Sequence, residues 1–574
     1  MTTGAKARRS QLLSTYGIGG LFPSESTSFM ITGLDDWNES RAPIVSEPRL
    51  ARSLRVRELK SPPAGTTRDV PVIRFPYTQV CPSCRRIGSI FDLSGDWNVA
   101  KCNKCKDKAD LAPFRLITAC NKGHIDEFPY YRWLHKGQSS EGEDHEMRMQ
   151  SLGKTSSLAD LVLTCTCGVN PKSLDGTFGP KALAEYGHCS GARPWLGFDH
   201  KQDCAEIPRV LQRGASNVWL PAVRSAISIP PYSEALAKFV DRHWIALADP
   251  EAVTDKLLAN IAASSTGKFS VDQINAEAER RRGDDEDEEL TEEALRKQEY
   301  SALIDGRDES QGSDFVSIKM DRDSSLPDCV TEVRKVTRLR EVRALYGFSR
   351  LNGVNELGAD GLCELSHGRK SWFPAIEVIG EGVFVAFDRA QLDDWEKKRF
   401  AQDRRKLLKR AADRQAVEFG RTEAAEVDIV KVALHTLAHV LIDQLSLDAG
   451  YPAASLRERL FVDDEMAGLL IYTASSDSAG SLGGVASQAE PESFASALHE
   501  GLIRLSWCSA DPVCVEAGAS GTDALNLAAC HACVLVPETS CELNNTFLDR
   551  ALLFGSPENN QENEGLFSAV VATG

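Results

Sequence analysis

Sixteen cysteines, most of them in closely spaced pairs, constrain this 574-residue chain more than any other feature of its sequence. In a reducing compartment, paired cysteines usually hold metal ions rather than form disulfides. A Cys-x-x-Cys pair on a tight turn offers two sulfurs to one ion, and two further thiolates complete a closed tetrahedral Zn²⁺ site. The sequence therefore predicts a scaffold in which Zn²⁺ stabilises the fold and has no open position for a substrate.

Three groups of four cysteines can each be assigned to one Zn²⁺. The first group has the spacing of a zinc ribbon, with two matched Cys-x-x-Cys pairs. In the second group Cys120, His124 or His188 are alternatives to one of the cysteines. Beside the third group, Cys508 is predicted not to be a ligand. The predicted ligands, group by group, are Cys81, Cys84, Cys102, Cys105; Cys165, Cys167, Cys189, Cys204; and Cys514, Cys530, Cys533, Cys541.

Length and composition are those of a globular protein with several domains. At about 150 residues per domain the chain should contain about three to four domains, and its 42% hydrophobic and 26% charged residues lie near the globular average. No run of about 18 apolar residues predicts a membrane span, and the first residues do not lead into the apolar segment of a signal peptide. We expect a cytoplasmic protein without a membrane partner.

The chain is predicted to be α+β and multidomain, with N-terminal zinc-ribbon modules, a central helical and charged insertion, and a C-terminal mixed α/β domain closed by a four-cysteine zinc site. The predicted segments are 1–75, an N-terminal segment; 76–232, the zinc-ribbon region; 233–328, helical with a mobile acidic insertion; 329–425, strands plus a long basic helix; and 426–574, the C-terminal zinc-binding domain. Within them, residue patterns predict a ribbon hairpin of residues 88–92 and 97–100, helices near 233–248, 251–263 and 434–442, and strands at 333–342, 378–387 and 468–473.

The distribution of charge restricts where DNA can bind. A net charge of −17 argues against a broad nucleic-acid surface, because affinity for phosphates comes largely from cations that replace counterions. The predicted helix from about Leu392 to Phe419 is the exception, since it carries nine Lys and Arg residues. A solvated helix face and a docking site for an acidic partner are the alternative interpretations. The residues predicted to contact DNA are Arg404, Arg405, Lys409 and Arg410.

Two motifs that resemble catalytic sites lack an essential residue. The glycine-rich turn at residues 16–20 does not have the Gly-Lys-Ser/Thr ending of a phosphate-binding loop, and is predicted to be a tight turn. His435 and His439 have the i, i+4 spacing of zinc-protease ligands, but Thr436 stands where the general-base Glu belongs, so they are predicted to be core histidines. The chain is therefore predicted to be no enzyme, with no small-molecule substrate.

Several stretches carry a family resemblance. LHTLAHVLID (434–443), GLLIYTASSDSAGSLGGV (468–485) and AACHACVLVPETSCELNNTFLDRALL (528–553) resemble the C-terminal zinc-binding module of DNA-repair helicases of the MrfA type. We expect no helicase domain upstream of the module. The upstream stretches RRSQLLSTYGIGGLF, ACNKGHIDEFPYYRW, RGASNVWLPAVRSAISIPP, RLREVRALYGFSRL and WFPAIEVIGEGVFVAF resemble the DrmB family, the zinc-binding subunit of the DISARM anti-phage system.

This resemblance implies a non-catalytic accessory subunit that binds a superfamily-two DNA helicase of the DrmA type. Such a subunit would help the helicase engage invading DNA during phage restriction. Two alternatives stay open: a stand-alone zinc-dependent DNA-binding adaptor, and a nuclease whose site the sequence does not reveal. No motif specifies the stoichiometry, the preferred DNA structure or the surface that meets the helicase.

Overall fold

The structure is a computed structural model, and its described residues form two compact units. Unit 1 comprises Met1–Val45, Leu54–Ser225 and Arg343–Ile376, and unit 2 comprises Ser46–Ser53, Ala226–Val342 and Glu377–Gly574. The finer division into five segments stays a prediction. The described residues are 6–24, 27–66, 68–136, 145–153, 157–197, 199–283, 290–308, 313–353, 361–418, 424, 426–473, 483–516, 518, 521, 524–555 and 564–572.

Unit 1 is built from short strands in small antiparallel sheets. One sheet has three strands, Leu21–Pro23, Ser28–Ile31 and Val72–Arg74, in that order. A second sheet has the order Lys172–Ser173, Leu161–Cys165, Met147–Ser151, Arg86–Ser89, Thr78–Val80 and Ala112–Pro113. A third has the order Arg209–Gln212, Leu116–Ala119 and Ile125–Glu127, and Glu58–Lys60 pairs in parallel with the first residues of the strand Trp372–Phe387.

The helices of unit 1 are short, and its buried apolar residues include two separate clusters in the cysteine-bearing region. Phe114, Phe128 and Trp133 are central to one cluster, and a separate cluster lies under the first cysteine group. Residues 220–225 and 343–349 belong to the longer strands Leu220–Ile227 and Val330–Ser349, whereas the other strand segments of this unit have two to five residues. The α-helices lying wholly in this unit are Gln11–Ser14, Ile90–Ser94 and Tyr130–His135, and its 3₁₀ turns are Leu34–Asp36, Glu39–Arg41, Leu158–Asp160, Ala184–Tyr186, Pro194–Leu196 and Ser216–Val218.

The hairpin predicted at residues 88–92 and 97–100 is wrong. Residues 97–100 are not a strand, and Ile90–Ser94 is a helix because Ser89 and Asp92 form a reciprocal capping box at its first turn. The ribbon hairpin lies one strand earlier, where Thr78–Val80 pairs with Arg86–Ser89. The first cysteine pair therefore lies at the hairpin turn itself.

Arg350 connects its own segment of unit 1 to three other segments by hydrogen bonds. Its guanidinium donates to the carbonyl oxygens of Gly19 at 2.8 Å, Gly123 at 2.9 Å and Val218 at 2.5 Å, and it is fully buried. Burial lowers the pKa of Arg350 to about 10. Gly19 has φ +74°, and a Cβ there would lie 2.4 Å from the ring of Phe348. The glycine-rich turn is thus a packed tight turn, as predicted.

Unit 2 contains the short helix Pro48–Ser53 and, later in the chain, a layer of longer helices. The predicted helices near 233–248 and 251–263 are confirmed as Ala235–Arg242, Trp244–Leu247 and Asp255–Ser264. Val271–Gly283 and Glu292–Asp305 follow, with the 3₁₀ turn Pro250–Ala252 among them, and the predicted acidic insertion falls mainly on residues 284–289, outside the described residues. Val240, Leu247 and Ile274 form the centre of an apolar cluster in this layer.

The second part of unit 2 is a sheet covered by one long buried helix. Leu456–Val462 pairs with Ala467–Thr473, which pairs in turn with residues 382–386, and Phe315–Lys319 pairs with residues 334–339. Gly382 permits close pairing, because a Cβ there would lie 2.2 Å from the carbonyl oxygen of Ile471. The strands predicted at 333–342, 378–387 and 468–473 are confirmed as parts of Val330–Ser349, Trp372–Phe387 and Ala467–Thr473.

The helix predicted at 434–442 is confirmed as Ile429–Ala449. Asp428 caps its first turn, accepting from the backbone N–H groups of Val430 and Lys431, and Gly450 at φ +72° ends it. By length and composition this is the one described helix that could cross a membrane, yet 89% of the relevant window is buried inside the protein, as in the core helix of a domain.

The remaining helices of unit 2 are Arg389–Glu396, Arg399–Glu418, Pro491–Leu505, Ala551–Phe554 and Ser568–Ala572, with 3₁₀ turns Ala453–Ser455 and Ala486–Ala489. The predicted fold class, α+β and multidomain, is confirmed.

Candidate metal centres

The ribbon group brings together the four cysteines that the sequence assigns to the first site. Cys81 Sγ lies 3.8 Å from Cys105 Sγ, and Cys84 Sγ lies 3.8 Å from Cys102 Sγ. Burial raises the pKa of the Cys102 thiol to about 12, whereas the backbone N–H of Ala109 lowers the pKa of Cys105 to about 7. All four sulfurs lie within 4.8 Å of one another.

These separations fit a tetrahedral zinc ion. With Zn–S bonds of about 2.3 Å, two sulfurs of a tetrahedron lie about 3.8 Å apart, whereas a disulfide requires about 2.05 Å. The described cysteines are all unbonded to one another. When bound, Zn²⁺ in such a site cross-links the chain segments that supply its ligands.

A second group contains three cysteines and one histidine from unit 1. Cys120 Sγ lies 3.4 Å from His124 Nδ1 and 3.9 Å from Cys204 Sγ, and Cys189 completes the group. The Nε2 of His124 lies 3.1 Å from Gln202 Oε1. If Nε2 carries the proton and donates to this amide oxygen, the Nδ1 lone pair faces the three sulfurs, which is the usual arrangement around a metal-bound histidine.

A third group joins two histidines to the Cys165-Thr-Cys167 motif. His145 Nδ1 lies 3.2 Å from Cys165 Sγ, and His135 Nε2 lies 3.3 Å from Cys167 Sγ. The other nitrogen of His135 lies 2.9 Å from the carbonyl oxygen of Tyr131, which fixes the ring with Nε2 toward the sulfurs. His135 is in a helix, and His145 just precedes the strand Met147–Ser151 that pairs with Leu161–Cys165.

The structure corrects the predicted second set of ligands. Cys165 and Cys167 lie in one group, whereas Cys189 and Cys204 lie in another with Cys120 and His124. Strand pairing explains the division, because the pairing of Met147 with Cys165 brings the preceding histidine to this motif. His188 belongs to none of the groups formed by the described residues.

A C-terminal group of four cysteines lies in unit 2. Cys508 Sγ lies 3.5 Å from Cys530 Sγ, and Cys514 Sγ lies 3.8 Å from Cys533 Sγ. Burial raises the pKa of Cys514 to about 11. Asp511 accepts the backbone N–H of Cys508 at 3.0 Å and also pairs with the guanidinium of Arg550, whose second nitrogen donates to the Leu505 carbonyl at 2.9 Å. These contacts hold the loop that carries the first two members of this C-terminal four-cysteine group.

Two predictions about this group are corrected. Cys508, predicted not to be a ligand, completes the group, and Cys541, predicted to be a member of it, lies elsewhere. The segment around Cys541 follows the strand Leu456–Val462, because the N–H of Glu458 donates to the Ser540 carbonyl at 3.0 Å. This carries the Cys541 sulfur to 3.1 Å from His435 Nε2, inside the core.

The cations predicted to contact DNA divide into two pairs. Arg404 makes two hydrogen bonds of 2.6 Å to the carboxylate of Asp549, and Arg405 donates to the carbonyl of Val427 at 3.0 Å. Lys409 and Arg410 are exposed. The predicted single helix is also broken into Arg389–Glu396 and Arg399–Glu418, where the side chain of Gln402 caps the carbonyl of Glu396 at 2.7 Å.

Comparisons with known proteins find family matches in two regions of the chain. Residues 8–220 match the model of a domain of unknown function, DUF8724, and residues 437–534 match the MrfA Zn-binding domain. DISARM protein DrmB of Bacillus paralicheniformis is 31% identical over 564 residues, which covers 92% of this chain and 97% of that protein. The chain belongs to the DrmB family. All members of the C-terminal four-cysteine group fall inside the MrfA Zn-binding match, and this DrmB-family protein binds Zn²⁺.

Sequence reasoning held His124 only as an alternative ligand and did not single out His135 or His145, which the structure places in the metal groups of unit 1. The pair Cys120 and His124 has a spacing that can share a metal, so a signal for it existed. His135 and His145 had none, because His145 comes to Cys165 only through the pairing of Met147–Ser151 with Leu161–Cys165, and His135 comes to Cys167 from the helix Tyr130–His135.

Proposed function

We propose that this DrmB-family chain is a non-catalytic, zinc-stabilised subunit of a DISARM-type anti-phage system. The observation that carries the proposal is the 31% identity to DISARM protein DrmB across nearly the whole of both chains. In this role the protein acts in the cytoplasm, binds a superfamily-two DNA helicase and assists that helicase in engaging invading DNA.

The composition of the metal groups supports a scaffold rather than an enzyme. Each group in the described residues already supplies four protein ligands, so a tetrahedral Zn²⁺ keeps no position for water or substrate. The proposed ligands in unit 1 and in the C-terminal four-cysteine group are Cys81, Cys84, Cys102, Cys105; Cys120, His124, Cys189, Cys204; His135, His145, Cys165, Cys167; and Cys508, Cys514, Cys530, Cys533.

Contact with DNA is assigned to the exposed face of the helix Arg399–Glu418. Lys409 and Arg410 lie on this face, whereas the bidentate pair of Arg404 with the fully buried Asp549 supports a structural role for that arginine. Acidic residues limit the positive field, since Asp413 lies 3.9 Å from Lys409. A contact restricted to a few phosphates agrees with the net charge of −17.

Co-expression with the helicase encoded in the same defence system tests the proposal. We expect a stable complex on size-exclusion chromatography, and ATP hydrolysis by the complex but not by this chain alone. Tight binding of DNA by the chain without any helicase association would instead favour a stand-alone adaptor. Magnesium-dependent cleavage of DNA by the isolated chain would favour a nuclease and contradict the proposal.

A further inference from the structure

Four side chains converge in the core of unit 2, and two of them, His435 and His439, are predicted from the sequence to be packing residues. We propose that His435, His439, Glu458 and Cys541, here called the buried His–Glu–Cys cluster, hold an additional Zn²⁺ separate from the C-terminal four-cysteine group. Their candidate ligand atoms all lie within 4.8 Å of one another, and each residue is at most 4% exposed.

The two imidazole rings are oriented as metal ligands. His435 Nδ1 lies 3.3 Å from the carbonyl oxygen of Phe547, and His439 Nδ1 lies 2.7 Å from that of Val534. A ring nitrogen can contact a carbonyl in this way only as an N–H donor, which leaves each Nε2 lone pair available for a metal. Both Nε2 atoms face Glu458, at 3.1 and 3.6 Å from its carboxylate oxygens.

Two of these buried atoms lack a hydrogen-bond partner. His439 Nε2 and Glu458 Oε2 are both buried and make no hydrogen bond within the described part of the chain, although they face each other at 3.6 Å. That distance is too long for a good hydrogen bond. It is close to the separation of about 3.3 to 3.4 Å between two nitrogen or oxygen ligands at about 2.0 to 2.1 Å from a tetrahedral zinc. A metal ion would supply the partner that both atoms lack.

The sulfur of Cys541 is placed as a thiolate. It accepts the backbone N–H groups of Leu543 at 3.3 Å and Asn545 at 3.2 Å, while His435 Nε2 lies 3.1 Å away. One thiolate and one carboxylate carry two negative charges, which a single Zn²⁺ neutralises with both imidazoles uncharged. The alternative, two buried imidazolium ions, leaves the Nε2 proton of His439 without an acceptor at hydrogen-bond distance.

The cluster is independent of the C-terminal four-cysteine group. That group is complete without Cys541 and falls within residues 437–534, whereas His435 and Cys541 lie outside this range. Thr436 accepts the backbone N–H of Asp549 at 3.0 Å, so the position of a protease general base is used for packing. Four protein ligands in a closed core indicate a structural Zn²⁺ that joins the helix Ile429–Ala449 to the strand Leu456–Val462 and the C-terminal segment.

Metal analysis of the full-length protein tests this inference. We expect the wild type to contain five Zn²⁺ per chain, one for each group among the described residues, and the variants Glu458→Gln and Cys541→Ser to contain four. Cys329→Ser is the matched control, since Cys329 is a buried cysteine of unit 2 outside every group, and it should retain five. Unchanged zinc content in both cluster variants would overturn the inference.

A second measurement covers the case in which the cluster variants do not fold. Crystals of the wild-type protein measured at the zinc absorption edge should show an anomalous peak between the two Nε2 atoms, about 2.0 to 2.3 Å from all four ligand atoms. Absence of a peak there, with peaks present at the cysteine groups, would mean that the cluster is a network of ion pairs.

Discussion

The metal groups of units 1 and 2 use the same ligand chemistry but lie among helices and strands of very different length. In unit 1, three metal groups lie among strands of two to five residues, and one apolar cluster of this region contains Leu116 and Leu163 from short segments. In unit 2, sixteen of the 21 residues of the helix Ile429–Ala449 are buried against strands of seven residues. The difference predicts that Zn²⁺ contributes more to the stability of residues 78–212 of unit 1 than to that of the long helix and strands of unit 2.

The largest effects should come from removing one cysteine in each unit. Structural Zn²⁺ contributes about 10 to 16 kcal/mol of apparent binding free energy in small fingers. Cys84→Ser and Cys508→Ser should each lower the zinc content by one ion per chain. Limited proteolysis should then cut the ribbon segment 78–113 in the first variant, while the helix Ile429–Ala449 stays protected in the second.

Matched controls are available for both variants. Cys363 in unit 1 and Cys329 in unit 2 are buried cysteines that belong to no metal group in the described residues. Cys363→Ser and Cys329→Ser should leave the zinc content unchanged. If Cys508→Ser also retained full zinc, the sequence-based exclusion of Cys508 would be right and the grouping in the structure wrong.

A smaller loss of stability should follow from replacing the buried arginine of either unit, which hydrogen-bonds a carboxylate in unit 2 and backbone carbonyls in unit 1. Arg459 in unit 2 makes two hydrogen bonds, of 2.7 and 2.8 Å, to the buried carboxylate of Glu299, whereas backbone carbonyls hold Arg350 in unit 1. Arg459→Met removes the ion-pair partner of the buried Glu299 carboxylate, which still accepts the backbone N–H of Ile227 at 2.8 Å, at a cost of about 3 to 5 kcal/mol. Arg350→Met should cost about as much, because it leaves three carbonyls without their donor.

A second substitution separates these two cases. Adding Glu299→Gln to Arg459→Met should recover part of the lost free energy of unfolding, because the buried charge is then removed with its partner. No side-chain substitution can remove the carbonyls around Arg350. Urea denaturation measures the free energy of unfolding of each variant, and hydrogen exchange shows whether the loss lies in unit 1 or in unit 2. A double variant that is as unstable as Arg459→Met alone would contradict the ion-pair explanation.

The smallest effect concerns the binding of DNA. Replacing Lys409 and Arg410 by Gln should weaken DNA binding by the helicase complex and reduce the slope of log affinity against log salt by about 0.7 to 0.9 for each phosphate that is no longer neutralised. The matched variant in unit 1 replaces Lys104 and Lys106, which are exposed on the ribbon. It should leave the slope unchanged. Dissociation of the complex with an unchanged slope would identify the helix as a protein interface.

The parts of the structure that the sequence predicts are those that depend on local pattern. The ribbon group was predictable because its ligands lie within 25 residues in two matched pairs, and the helix Ile429–Ala449 because its apolar run is long. The metal groups that contain His135, His145 and Cys541 could not be predicted, because their members come together only when segments distant in sequence pack on one another. Cys541 reaches His435 only through the packing of residue 540 on the strand Leu456–Val462.

Hydrogen exchange after zinc removal tests the central claim most directly. The full-length protein is treated with a strong zinc chelator, and backbone exchange is measured by mass spectrometry with and without the treatment. The account predicts that residues 78–212 of unit 1 lose most of their protection, while Ile429–Ala449 and Ala467–Thr473 of unit 2 keep theirs apart from the segments next to metal ligands. Equal loss of protection in both units, or none in unit 1, would contradict the claim that residues 78–212 depend on metal more than the long helix and strands of unit 2 do.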